Sequence, residues 1–379
     1  MNNTEALMVL NAVGGLGSAG IRALIECYGS PAGVFTVPVA ELLSRGVIPE
    51  TTLRNIIDFP KEQFLQNELE HMAKRQARVI SFLDDDYPSL LRETPGAPCV
   101  LYTRGKIPQD RPLSIAVVGS RKASYYGLTH AHKFAAQLSG LGFTIISGMA
   151  RGIDSQAHKG ALDSGGLTIA VLGCGLSHVY PPENTDLFNR ISESGAVISE
   201  FPMQTPPLAH NFPRRNRVIS GLSLGVIVVE AAQRSGALIT ANFALEQGRE
   251  VFAVPGPIDS LTAQGTHYLI KQGAKLVTCL EDILEELQQK CSEHLGRDNH
   301  GFESGVSAPQ RQLMSAAPQD LSQEEQVVFD QIADRPVHID ELINKCGPEV
   351  PVMSILLKLE LKKAVRQLPG KLFTHRRIM

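Results

Sequence analysis

Gly119, Ser120 and Arg121 close an apolar run, Leu113-Ser-Ile-Ala-Val-Val118, and the three residue types together suit an anion. A buried parallel strand that stops in Gly-Ser and hands over to a helix aims backbone N–H groups at negative charge, and Arg121 adds a forked cation. No GxGxxG follows the strand, so the expected ligand is phosphate, alone or in a polymer, held outside the usual dinucleotide arrangement.

Further runs end in groups of the same kind. The run 143–147 leads into Gly148-Met-Ala-Arg151-Gly-Ile-Asp154, with His158 four residues on; the glycines allow close backbone approach and Arg151 adds charge. Asp154 and His158 can face each other on the helix that should follow. They could form an acid–base pair, a metal site or, more plainly, a helix-start carboxylate with a histidine that orients the loop. Asn211-Phe212-Pro-Arg214-Arg215-Asn-Arg217 reads as a proline-stiffened loop presenting three arginines beside an aromatic ring. That combination suits single-stranded nucleic acid, in which phosphates meet guanidinium groups and unstacked bases lie on a ring. The competing reading is a structural arginine cluster paired to Glu200, Glu230 and other carboxylates. After the run 225–230, Ser235 and Gly236 should cap the next helix and present its amides to a phosphate. The segment Val179-Tyr-Pro-Pro-Glu-Asn184 is expected to shape the pocket wall.

The elements that position these groups follow from the alternation of apolar runs with helix-length segments. Strand candidates at 78–83, 99–102, 115–118, 143–147, 168–173, 197–199, 225–230, 251–254 and 275–277 predict an α/β fold with a doubly wound, mostly parallel sheet over 77–290. In such a sheet ligands lie beyond the carboxyl ends of the strands, where the residues above fall. Residues 1–70 read as a SAM/helix-hairpin-helix-like helical domain, broken at Gly14-Gly-Leu-Gly17 and Gly29-Ser-Pro31, with a linking helix near 61–75. Such a turn can hold a DNA phosphate, or it can simply reverse the chain between packed helices. Residues 291–320 lose apolar periodicity and read as a flexible tether. Order returns over 321–379, where Ser322 and Glu325 form a capping box for a helix to about residue 333. Segments 339–345 and 350–361 and two strand-like pieces around Pro369-Gly370 complete a winged-helix pattern. Its third helix is apolar where base-reading versions offer Arg, Lys, Asn or Gln, which argues against a transcriptional regulator. Lys362, Lys363, Arg366, Lys371, Arg376 and Arg377 are either backbone contacts or a solvated basic face.

The chain has 379 residues and a net charge of −3, so any nucleic-acid contact must come from a local basic patch. Its six cysteines, among them Cys174 and Cys291, include no CxxC pair, which suits reduced thiols; neither metal nor cofactor is expected. The N-terminus lacks a basic leader and no apolar run approaches the roughly 20 residues that span a bilayer. A cytoplasmic protein without a membrane partner is expected.

Taken in order, Val118-Gly-Ser-Arg121, Ser147-Gly-Met-Ala-Arg-Gly-Ile-Asp154 with His158, Phe212-Pro-Arg-Arg-Asn-Arg217, Val229-Glu-Ala231, Ser235-Gly236 and Val251-Phe-Ala-Val-Pro-Gly256 resemble the DNA processing protein A family, DprA or Smf. The resemblance is strong over about residues 80–285. It implies an extended Rossmann-like domain that binds single-stranded DNA without sequence preference, dimerises, and loads the RecA recombinase during natural transformation, with no catalytic turnover. Carried over, Gly119, Ser120, Arg121, Arg214, Arg215 and Arg217 are phosphate contacts and Phe212 a platform. Two departures stand out: His267 replaces a common asparagine, and Lys363 stands where a glycine often precedes the wing. A rival from another class is the lysine-decarboxylase-like phosphoribohydrolases, which cleave nucleotide monophosphates through Pro-Gly-Gly-x-Gly-Thr-x-x-Glu. Here Gly236 and Thr240 remain, Ala237 and Ile239 replace glycines, and Phe243 takes the glutamate's position.

Overall fold

The computed structural model describes residues 1–108, 113–295, 323–332, 337–346, 365–368 and 372–375, with isolated positions between 352 and 359. The chain forms two compact units, Met1–Asn299 and His300–Met379. The tether expected over 291–320 lies outside the described residues from 296 onward. So do Ser322, Lys362, Lys363, Lys371, Arg376, Arg377 and the Pro369-Gly370 turn, and the side chains of Glu325 and Arg366.

The first unit begins with α1 (Asn3–Ala12), α2 (Ser18–Tyr28), α3 (Val39–Arg45), α4 (Glu50–Ile57) and α5 (Lys61–Arg75). There follow β1 (Ala77–Ser81), α6 (Ser89–Arg92), β2 (Val100–Gly105), β3 (Ser114–Val118), α7 (Tyr125–Gly140), β4 (Thr144–Ser147), α8 (Ile153–Asp163) and β5 (Thr168–Val171). The unit continues through α9 (Thr185–Ser194), β6 (Ala196–Ser199), α10 (Asn211–Gly221), β7 (Gly225–Val228), α11 (Gly236–Glu246), β8 (Glu250–Ala253), α12 (Gln264–Lys271), β9 (Lys275–Leu276) and α13 (Leu280–Leu295).

The strands form one sheet in the order β1-β2-β6-β5-β4-β3-β7-β8-β9. β1 and β2 run antiparallel at one edge, and the pairs from β6 to β9 are parallel. The central strands β3 to β7 are buried along their whole length, as expected where helices cover both faces. Alternation decides which face each residue serves. Ile115 and Val117 share a core with Ala131, Phe134 and Leu138 of α7, Ile153 and Ala157 of α8, and Ile283 of α13. Ala116 and Val118 face Val218 and Ile219 of α10, Ala237 and Ala241 of α11, and Leu269 of α12.

The front helices pack on the sheet: Leu7, Met8 and Leu10 share a core with Val100, Tyr102 and Val197. Asn11 also donates its side-chain amide to the Glu200 carbonyl at 2.9 Å. The expected loop at 211–217 is instead the first part of α10. Pro213 is no obstacle, because the first turn of a helix has no intrahelical partner for its N–H.

The second unit contains α14 (Gln323–Asp330), β10 (Val337–His338), α15 (Ile339–Cys346), β11 (Val365–Leu368) and β12 (Leu372–His375), with strand order β10-β12-β11. Val352, Ile355, Leu356 and Leu359 of the apolar third segment pack with Val328, Leu342 and Phe373. These four residues are part of the core of the tail. Among the described residues no helix is long and apolar enough to cross a membrane.

Candidate nucleic-acid interface

Successive strands run outward in opposite directions from β3 and β7, so their junction is a topological switch point, where the loops leave a crevice. An open cavity of about 820 Å³ occupies it, lined by Gly119 to Lys122 after β3, Ala150 and Asp154 after β4, and Tyr180 after β5. The opposite wall comes from Phe212 and Arg215 of α10, Arg234 to Gly236 after β7, and Thr262 after β8.

Gly119 is required by packing: an added Cβ would lie 2.8 Å from the Glu230 carbonyl oxygen and 2.6 Å from Ile153 Cγ1. The Ser120 N–H donates to that same carbonyl at 2.7 Å, tying the end of β3 to the end of β7. This amide is therefore engaged within the protein, contrary to the expectation that it faces an anion. The Ser120 hydroxyl accepts from the Lys122 N–H at 3.1 Å. Arg121 is exposed, its guanidinium 5.1 Å from the centre of the Phe212 ring, and Tyr180 lies 5.4 Å from Phe212 on centroids. A cation is thus held on an aromatic face at the mouth of the cavity.

The glycine loop after β4 holds two buried ionisable groups, Asp154 and Arg215. Asp154 accepts from the N–H groups of Gly148 at 3.2 Å and Ala150 at 3.4 Å. Arg215 donates to the Gly148 carbonyl at 3.0 Å, to the Val171 carbonyl and to Asn216 Oδ1 at 3.1 Å. A Cβ on Gly148 would fall 2.5 Å from Arg215 Nη2 and 2.7 Å from Asp154 Oδ2, so only glycine fits between them. Burial raises the Asp154 carboxyl, opposed by Arg215 and the two amides, and lowers the Arg215 guanidinium to about 10. Arg215 forms the cavity floor, 3% exposed, where the sequence had it on a presented loop.

The expected Asp154–His158 pair does not form. His158 turns to β5, its Nδ1 2.7 Å from Thr168 Oγ1, and that hydroxyl donates its one proton to the Ile145 carbonyl at 2.7 Å. Nδ1 is therefore the donor. Burial, with Arg215 nearby, lowers the imidazole to about 3, leaving it neutral at ordinary pH and unsuited to proton transfer in this cavity. Among the described residues no group of three His, Cys, Asp or Glu is placed to hold a metal.

The other arginines of α10 share one carboxylate. Glu200, at the end of β6 with a side chain 2% exposed, accepts from Arg217 at 2.5 Å and Arg214 at 3.2 Å. Arg217 also donates to the Gly96 carbonyl at 2.6 Å, whereas Arg214 is half exposed, its guanidinium 5.2 Å from the Phe201 ring centre. Among the described residues Glu230 takes no arginine; it accepts from the Ser124 N–H at 2.9 Å and hydroxyl at 2.5 Å. Arg151 is exposed and paired with Glu183. Ser235 caps α11 as expected, accepting from the Ala237 N–H at 3.3 Å, with Gly236 exposed beside it on the cavity. His267, in the asparagine's place, lies with Nε2 3.0 Å from the Gly256 carbonyl.

Lys122 and Arg234 were not singled out from sequence. Both are exposed, both line the cavity, and neither makes an ion pair among the described residues. Each flanks a recognised motif, Lys122 after Gly-Ser-Arg and Arg234 before Ser-Gly. That adjacency was the available signal.

Residues 78–288 match the family profile of the DNA recombination-mediator protein A, and residues 312–371 match the DprA winged helix domain. The chain is 41% identical over 319 residues to protein Smf of Escherichia coli, covering 84% of this chain and 82% of that protein. It is similar to the crystal structure of DNA processing protein A from Streptococcus pneumoniae, with a TM-score of 0.66, 36% identity, and coverage of 76% of this chain and 99% of the other. A structure that addresses the single-stranded DNA binding mode of DNA processing protein A from Helicobacter pylori matches with a TM-score of 0.51 and 27% identity, over 57% of this chain and 97% of that one. The matches span the sheet, the crevice and the tail, and the chain belongs to the DNA recombination-mediator protein A family, whose members are also called DprA and Smf.

Proposed function

We propose that this protein binds single-stranded DNA without sequence preference in the β3/β7 crevice and loads a RecA-type recombinase onto it, acting as a cytoplasmic homodimer without catalytic turnover. The observation that carries the reading is the mouth of the cavity. Arg121 on the Phe212 ring, with Lys122 and Arg234 beside it, offers cations without an ion-pair partner among the described residues next to an aromatic surface. Phosphates pair with such cations, and any base can lie on a ring, so affinity follows the polymer and not its sequence. Single-stranded DNA binding by the Helicobacter pylori relative supports this reading. Recombinase loading and dimerisation rest on membership of the family. Gly119, Ser120, Arg215, Ser235 and Gly236 line the crevice and Gly148 packs against Arg215, whereas Arg151, Arg214 and Arg217 lie outside its lining, paired to Glu183 and Glu200.

The test is a titration of labelled oligo-dT with the full chain, with duplex DNA as competitor. Preference for the single strand is expected, and stronger binding to duplex would contradict the proposal. The phosphoribohydrolase reading predicts release of free base from nucleoside monophosphates. Against it, Phe243 is half-buried on α11 and does not line the cavity, so no carboxylate stands at that position. Sustained base release would overturn the non-enzymatic reading.

A further inference from the structure

Beyond the cavity-lining Lys122 the chain enters α7 through two tyrosines that the site above does not use. Ser124 caps α7 by accepting from the Gly127 N–H at 3.1 Å, and Glu230 in turn fixes Ser124 through its N–H and hydroxyl. Tyr126 is tied down at both ends: its hydroxyl donates to the Pro255 carbonyl at 3.0 Å, and its ring centre lies 4.2 Å from that of His130. Tyr125 sits between these anchored residues and is 85% exposed, against 54% for Tyr268 and 40% for Tyr126. Its backbone is therefore held while its ring faces solvent. The Tyr126–Pro255 bond brings the loop after β8 against the start of α7, and that loop carries the exposed Leu261 and the cavity-lining Thr262.

We infer that Tyr125 is a stacking platform for a base of single-stranded DNA just outside the cavity, with Lys122 taking a phosphate between that base and the ones inside. The inference rests on the reading of the cavity given above. Charge and continuity favour a nucleic-acid strand as the occupant: the ring follows the cavity-lining Arg121 and Lys122 in the chain by four and three residues, and neither cation has an ion-pair partner among the described residues. A ring whose backbone is already ordered loses little freedom on stacking, and every base has a π-face, so the contact adds affinity without sequence preference.

The chain contains no tryptophan, so Tyr125→Trp in the full-length protein provides a single fluorescent reporter at this position. A long oligo-dT of about twenty nucleotides should quench it strongly, whereas a short one of about three, ending inside the cavity, should not. Tyr125→Ala should weaken binding of the long oligonucleotide about tenfold with its salt dependence intact, and Tyr125→Phe should restore it. Unchanged affinity of Tyr125→Ala for the long strand, together with unquenched indole fluorescence in Tyr125→Trp, would overturn the inference while leaving the cavity reading in place. Failure of the unmodified chain to bind either oligonucleotide would overturn the cavity reading and this inference with it.

Discussion

Arg214, Arg215 and Arg217 fall within four consecutive positions of one helix, yet they differ in burial and partners, and this separates binding from support. Arg215 is enclosed beside Asp154 and donates to the Gly148 and Val171 carbonyls, so Arg215→Ala strips buried hydrogen bonds and opens a hole in the cavity floor. A loss of about 2–5 kcal/mol is expected in denaturant unfolding, a loss of fold that precedes any loss of binding. Arg217 is mostly buried on Glu200, and only Arg214 of the three keeps a half-exposed guanidinium. His158 provides a separate stability signal. Its folded pKa of about 3 lies below the usual 6.5, so the unfolded chain binds a proton that the native state refuses. Stability should therefore fall as pH drops from 6.5 towards 3, by about 1.4 kcal/mol per unit from this group. His158→Gln, which cannot titrate, should remove that slope from a pH series of unfolding curves; an unaltered slope would show that the imidazole is not held neutral.

At the scale of elements, the crevice depends on two strand ends being joined and one helix start being capped. The Ser120 N–H to Glu230 carbonyl bond leaves no room for a side chain at position 119. Gly119→Ala should cost about 1–3 kcal/mol of stability through overpacking, read as a lowered denaturation midpoint. Ser235→Ala removes the α11 cap and should cost about 1 kcal/mol, with a smaller effect on DNA affinity than any change at Arg121. Most of these elements were legible in the sequence. Strands buried on both faces read as short apolar runs, and the runs at 115–118, 143–147 and 225–230 all found their places. Where a run overshot, the ladder explains it: the Leu172 N–H still bonds the Ile198 carbonyl at 2.8 Å although β5 ends at Val171. The helix at 211–221 was missed because proline and clustered arginines imitate a presented loop, whereas Pro213 merely occupies a first-turn position.

Across the whole molecule, local pattern marked the strand ends that line the cavity but not the partners of their charges. Glu200 captures two arginines from 14 and 17 residues away, and that geometry exists only once β6 and α10 have packed. Nor did periodicity show that the front helices share their core with the sheet, because an amphipathic stripe does not reveal what covers it. A chain beginning at residue 77 should consequently expose Tyr102, Val100 and Val197 and aggregate, whereas residues 1–295 should stay monodisperse in size-exclusion chromatography and keep oligo-dT binding. The central claim is that single-stranded DNA is gripped by the cations at the cavity mouth, and the most direct measurement is the salt dependence of oligo-dT affinity for the full chain and its Arg121→Ala, Lys122→Ala and Arg234→Ala variants. Each variant should bind more weakly and lose about 0.7 from the slope of log K against log salt concentration, as expected for one released counterion on a single strand. Unchanged affinity and slope in all three would contradict it.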